Sequence, residues 1–154
     1  MILPLFGDRK PVPFLQTQFD EIGGNISPDG QWLAYESNES GRFEIYVQPF
    51  SDPNGKTQIS VNGGVQPRWR RDGKELFYID LGNRLMAVPI QFAAKSQGVE
   101  AGAPIPLFEV HLPDTQGSRQ EYIVSSDGQQ FLMNAYPDDA TSPITVILNW
   151  KAKP

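Results

Sequence analysis

Residues 27–50, SPDGQWLAYESNESGRFEIYVQPF, read as a turn, a strand, a second turn and a second strand. In Pro28-Asp29-Gly30 the proline pre-sets φ at the second turn position and the glycine relieves the exit. Gln31 to Ser37 then carries apolar residues on both faces, Trp32 and Ala34 against Leu33 and Tyr35. A strand of that kind needs cover on both sides. NESG, residues 38–41, turns the chain again. Beyond it Phe43, Ile45 and Val47 alternate with Glu44, Tyr46 and Gln48, which predicts a half-buried strand with one wetter face. Asp52-Pro53-Asn54-Gly55 is another turn, and residues 56–61 form a fourth, polar strand.

Two weaker copies follow, RRDGKELFYID from Arg70 and SSDGQQFLMNA from Ser125. The turn aspartates Asp29, Asp72 and Asp127 lie 43 and 55 residues apart. The first spacing suits a four-stranded propeller blade, and the second suits that blade plus an insertion. The predicted fold is therefore all-β, a partial β-propeller of about three four-stranded blades. The expected blades are residues 20–61, residues 62–117 with a surface-loop insertion at 91–103, and residues 118–154 lacking their own outer strand. Residues 1–19 are expected to form a hairpin or an outer strand exchanged with another copy, since prolines 11 and 13 suit an edge. An open arc leaves apolar blade faces at both ends. A homodimer completing a six-bladed ring is the expected assembly.

Composition narrows the classes of function. The 154 residues include 14 Gly and 14 Pro, as many short strands and tight turns require. A net charge of -5 argues against a nucleic-acid surface, which needs clustered Lys and Arg to meet phosphates. Arg68, Arg70 and Arg71 form the one dense basic run, read as turn solvation. No run of 18 apolar residues suggests a membrane span. MILPLFGDRK places its apolar residues before its charges, the reverse of a secretory signal, so the compartment stays open, with the cytoplasm expected only if the chain is made as given. With no cysteine there is neither a disulfide framework nor a thiolate metal site.

The run SPDGxWLAYxSNESGxxEIYVQPF resembles the WD-like repeat of TolB-type β-propellers. The wider order of LPLFGDRKP, GGVQPRWRRDGKELFY, LMAVPI, PLFE and SPITVILNW is similar to the C-terminal propeller of bacterial serine/threonine receptor-type kinases. The resemblance implies a six-bladed parent lying outside the cytoplasm, of which this chain holds about half. It carries over no kinase activity, because the sequence has no G-x-G-x-x-G, HRD or DFG. TolB-type relatives are protein-binding modules, and peptidases with such propellers keep their catalytic residues in another domain.

The chemistry-bearing residues are sparse. Asp29, Asp72 and Asp127 sit where tight turns place Asp to cap backbone N–H groups. His111, the only histidine, has no partner that would make a metal or catalytic site. Asp52 to Gly55 lacks the later acids of a calcium loop. Trp32, Trp69 and Trp150 fall in predicted strands and are expected in the core. No cofactor is expected. On the fold analogy, inner strands line a channel and their ends form its mouth. Asn25, Gln66, Arg68, Arg119 and Glu121 are the polar candidates there. The expected function is a non-catalytic binding or scaffold module for a protein, peptide or small ligand. The alternatives are a hydrolase or lyase using channel carboxylates, and a partial propeller without a ligand.

Overall fold

The computed structural model describes residues 1–3, 6–52, 54–92, 98–112 and 120–134, together with the backbone of 145–147. These form three antiparallel sheets with no helix among the described residues. The first runs in the order β1 (Glu21–Ile26), β2 (Trp32–Ser37), β3 (Glu44–Pro49) and β4 (Thr57–Gln58). In the second, β5 (Val65–Trp69), β6 (Glu75–Ile79) and β7 (Arg84–Phe92) pair in order. The long β7 then pairs with β9 (Ile105–Glu109) along its first half and β8 (Val99–Ala101) along its last residues. The third consists of β10 (Tyr122–Val124), β11 (Phe131–Met133) and β12 (Thr145–Ile147).

The Asp-Gly turns set the register of all three sheets. Asp29, Asp72 and Asp127 each accept the N–H of the residue two positions on, at 3.1, 3.0 and 3.0 Å. Gly30, Gly73 and Gly128 hold φ of 73°, 72° and 73°, a left-handed turn that glycine adopts without steric cost. Ser27 and Ser125 donate to the turn aspartate at 2.5 Å, and Arg70 takes that place in the second sheet through Nε and Nη2 at 2.8 and 2.9 Å. The turns consequently align Ile26↔Leu33, Trp69↔Leu76 and Val124↔Phe131 as equivalent cross-strand pairs.

Strand alternation then places the second sheet between two cores. Trp32, Ala34, Ile45, Val47 and Ile59 of the first sheet meet Trp69, Leu76, Tyr78, Met86 and Val88 of the second. On the other side of β6, Phe77 and Ile79 join Val65, Leu85 and Ala87 against Tyr122, Phe131 and Met133 of the third. The doubly apolar strand is thus explained, since adjacent residues of β6 serve different neighbours. Fully burying each such side chain contributes about 1.5–3 kcal/mol. Trp32 and Trp69 are core residues, while Trp150 lies outside the described residues.

Two expectations are corrected. All six residues of β3 are buried, including the predicted wet face. Tyr46 stacks on Tyr35 with centroids 5.9 Å apart, and Gln48 accepts the Tyr35 hydroxyl at 3.1 Å. Glu44, only 1% exposed, accepts the Gly63 N–H at 2.8 Å and the Ser60 hydroxyl. Each polar group found a partner, so polarity did not mean exposure. The second correction concerns 91–103, expected as a surface loop. Its described part extends β7 and returns as β8, pairing Gln91 with Glu100 and Phe92 with Val99. Phe92 stacks on Trp32 at 5.1 Å, and buried Val99 joins the first core, so these two residues pack onto the sheets. Near the N-terminus, Ile2 and Val12 exchange backbone hydrogen bonds at 2.7 and 2.8 Å as an isolated antiparallel bridge.

Candidate functional site

The inner strands β1 and β5 each carry an irregularity at the same position. Register shifts between Ile22 and Asn25, and between Val65 and Arg68, as β-bulges do. Gly23 sits in the first bulge with φ 65°, and Gln66 in the second with φ 57°. By the common turn register Glu121 is the third member, immediately before β10. These three positions are joined from sheet to sheet. The Gln66 N–H donates to Glu36 Oε1 at 2.8 Å, and the Glu121 N–H donates to Gln66 Oε1 at 2.9 Å. Glu121 Oε2 accepts from Asn134 Nδ2 at 2.7 Å. Glu36 serves from β2 because Gly23 has no side chain; a Cβ there would lie 2.2 Å from Glu36 Oε1.

The remaining candidates lie beside this relay. Asn25 accepts from the Trp69 N–H at 3.3 Å through Oδ1, and from the indole N–H at 3.1 Å through its carbonyl. Arg68 is half-buried, with Nε on the Tyr122 carbonyl at 3.3 Å, Nη1 on the Pro67 carbonyl at 2.8 Å, and the guanidinium 5.7 Å from the Tyr122 ring centre. The Tyr122 hydroxyl donates to the Gln66 carbonyl at 2.9 Å. Asn25, Gln66, Arg68 and Glu121 therefore come together along the inner strands, largely as bonds between neighbouring sheets. Arg119 lies outside the described residues.

Electrostatics follows from burial. Desolvation raises the Glu36 carboxyl above its ordinary value, against the Gln66 N–H and the Arg68 charge, which lower it. Desolvation likewise pulls the Arg68 guanidinium down, while Tyr122 and Glu36 pull it back up. Arg68 stays charged, as guanidinium does in proteins. Arg70, by contrast, is paired with both Asp72 and Glu75 at 2.8 Å. Among the described residues no group of three or more His, Cys, Asp or Glu side chains could hold a metal ion. His111 stands exposed after β9.

Glu36 and Tyr122 were not singled out by the sequence reading. The available signal was a carboxylate inside the apolar run Trp32 to Tyr35 and its neighbours, opposite two glycines. A buried acid without a basic neighbour in sequence implies a backbone donor from elsewhere in the fold.

Two open faces complete the geometry. Before the first sheet lies a groove of about 580 Å³ lined by Ile22, Ile26, Leu33, Tyr35, Phe14 and Phe50, among others. Beyond the third sheet a shallower one of about 310 Å³ is lined by residues of 120–123 and 132–134.

No family model matches the chain, and neither does any curated protein. Solved structures do. The crystal structure of oligogalacturonate lyase from Vibrio parahaemolyticus matches 78% of this chain at TM-score 0.55 and 14% identity. TolB from Acinetobacter baumannii matches 82% at TM-score 0.55 and 13% identity. The matched region spans 31% and 29% of those longer chains. At such identities the likeness concerns the fold alone. With its antiparallel sheets, it makes this chain an all-β, propeller-type structure whose sheets are blades.

Proposed function

We propose that the chain is a non-catalytic propeller module that binds a protein or peptide at the inner-strand ends, with Arg68 meeting a carboxylate of the ligand. The kinase-propeller likeness of its sequence motifs accords with such a role. The observation that carries the reading is the state of Arg68. Two backbone carbonyls and the Tyr122 ring hold its guanidinium in place, and among the described residues no carboxylate lies within ion-pair distance. A fixed, partly desolvated cation is prepaid for a charge-assisted bond. Titration with peptides bearing free or amidated C-termini tests it. Free-carboxylate peptides should bind, and Arg68→Gln with an unchanged circular dichroism spectrum should weaken them by roughly tenfold or more. Equal binding by the variant removes Arg68 from the site.

The lyase or hydrolase reading has one observation in its favour, the buried Glu36 with its raised pKa. Against it, Glu36 and Glu121 are joined through Gln66 and hold backbone and amide donors, so they do not converge on one substrate space. Incubation with oligogalacturonate, followed by ultraviolet absorbance of the unsaturated product of elimination, separates the two. No turnover is expected, and turnover lost in Glu36→Gln would overturn the non-catalytic reading.

A further inference from the structure

We infer that Asn54–Gly55 is a self-modification site: the Asn54 side chain deamidates by ring closure onto the Gly55 nitrogen, while the fold spares the like pair at Asn62–Gly63. The inference goes beyond the binding reading and is independent of it.

The reaction consumes only water. The Gly55 backbone nitrogen attacks the Asn54 side-chain carbonyl carbon, and the bond from that carbon to the amide nitrogen breaks. Ammonia leaves, made of the side-chain NH2 and the proton lost from the Gly55 nitrogen. Water then opens the succinimide ring that remains, at either of its carbonyls. One opening gives aspartate. The other gives isoaspartate, in which the main chain runs through the former side chain and is longer by a methylene. Glycine favours the attack because no Cβ stands beside its nitrogen.

Asp29, Asn54, Asn62, Asp72 and Asp127 all precede a glycine, and the structure separates them. The three aspartates offer a carboxylate, a poor electrophile, and each is held on the N–H two residues on. Their glycines donate to the carbonyls of Ser27, Arg70 and Ser125 at 2.9, 2.9 and 3.0 Å. Asn54 and Asn62 are both exposed, so the glycine after each decides. The Gly63 N–H donates to Glu44 Oε1 at 2.8 Å, and both residues are buried. A negative charge bonded there holds the proton that the nitrogen must lose. Leu81 fixes Gly63 further, packed so close that a Cβ would lie 2.2 Å from its Cγ. The Gly55 N–H donates to the Asp52 carbonyl at 3.2 Å, the longest of these five glycine bonds. An added methylene at 54 also falls beside the outer edge of the first sheet, where β4 pairs through Tyr46↔Gln58 and Val47↔Thr57. At 62 it would fall on the link between the first and second sheets, where Gly64 lies against Ser60 and Ile45.

The test is peptide mapping by mass spectrometry of the wild-type chain, aged in mildly alkaline buffer once folded and once unfolded in urea. Fragmentation that distinguishes isoaspartate from aspartate reads the product. In the folded chain Asn54 should deamidate about tenfold or more faster than Asn62, the factor that one hydrogen bond to a charged group accounts for. Isoaspartate should be among the products at 54. In urea the two asparagines should react at comparable rates, since each then precedes a glycine in an open chain. Four results would each overturn the inference. They are equal rates or a faster Asn62 in the folded chain; an Asn54 that converts in urea but not when folded; a gap between the two that persists in urea, which makes it a property of sequence; and aspartate without isoaspartate at 54, which means direct hydrolysis of the amide.

Discussion

The Glu121 backbone N–H donates to the Gln66 side-chain oxygen at 2.9 Å, across 55 residues of sequence and from one sheet to the next. Gln66 makes this bond from a left-handed backbone, φ 57°, that non-glycine residues seldom adopt. The strain is tolerated because the residue is fully buried and bonded through its N–H, carbonyl and amide oxygen.

Gln66→Ala should therefore destabilise the fold by about 2–4 kcal/mol, since it strands a buried N–H and keeps the strain. Gln66→Gly loses the same bond but relieves the backbone, and should be less harmful by about 1 kcal/mol. Urea denaturation of the two variants checks the order. Alanine proving the milder substitution would contradict the account.

Glu36→Gln addresses the other acceptor of the relay. A carboxyl whose folded pKa is raised contributes stability that is fully present below its unfolded value of 4.5 and lost as pH rises through the folded value. The wild-type melting temperature should accordingly fall across that window by more than the variant's. Gln can still accept the Gln66 N–H, as Gln66 itself does for Glu121. A variant with the wild-type slope would show that the carboxyl is not desolvated.

Asp72 shifts in the opposite direction. The Arg70 guanidinium and the Lys74 N–H hold its carboxyl down at about 2, from 3.8. Its contribution is present above the unfolded value and is lost as pH falls from about 3.8 through about 2. Because Asp72 is exposed, solvent screening keeps the effect on stability small. Side-chain NMR titration should find the depressed value, and Arg70→Ala should return it most of the way to normal.

Phe92→Ala tests whether the β7–β8 extension belongs to the core. Its ring stacks on Trp32 and lies 6.2 Å from Trp69. With 38% of the residue exposed, truncation should cost about 1–2 kcal/mol in thermal or urea unfolding. No measurable loss would return the segment to the status of a surface loop.

The legible part of this fold is the part encoded locally. Asp29-Gly30 and its two copies determine the turns, and residues on either side of each turn must pair, so strand order and register follow from the spacing. Phe92 and Val99 were illegible because the Ala-, Lys- and Ser-containing stretch between them suggests solvent, while their packing depends on Trp32 and its core in another sheet. Glu44 and Gln48 misled for a related reason: alternation reports polarity, and a partner such as Ser60 or Tyr35 makes a polar residue fit for the interior. At the candidate site the polar positions of the inner strands were readable. Their bonding was not, because Gln66 answers to Glu36 and Glu121, and neither sequence distance carries a periodic signal.

The second sheet alone, among those described, is packed on both faces, with one core shared on each side. Cohesion in such a stack is transmitted between nearest neighbours, so local opening starts at whichever end lacks cover. Amides of β6 and the first half of β7 should be the slowest to exchange with solvent, and those of β1 and β10 among the fastest within strands. Anything that caps an outer face will slow exchange there first and will reach the opposite end only through the second sheet. The order in which protection spreads would then report which face has been covered.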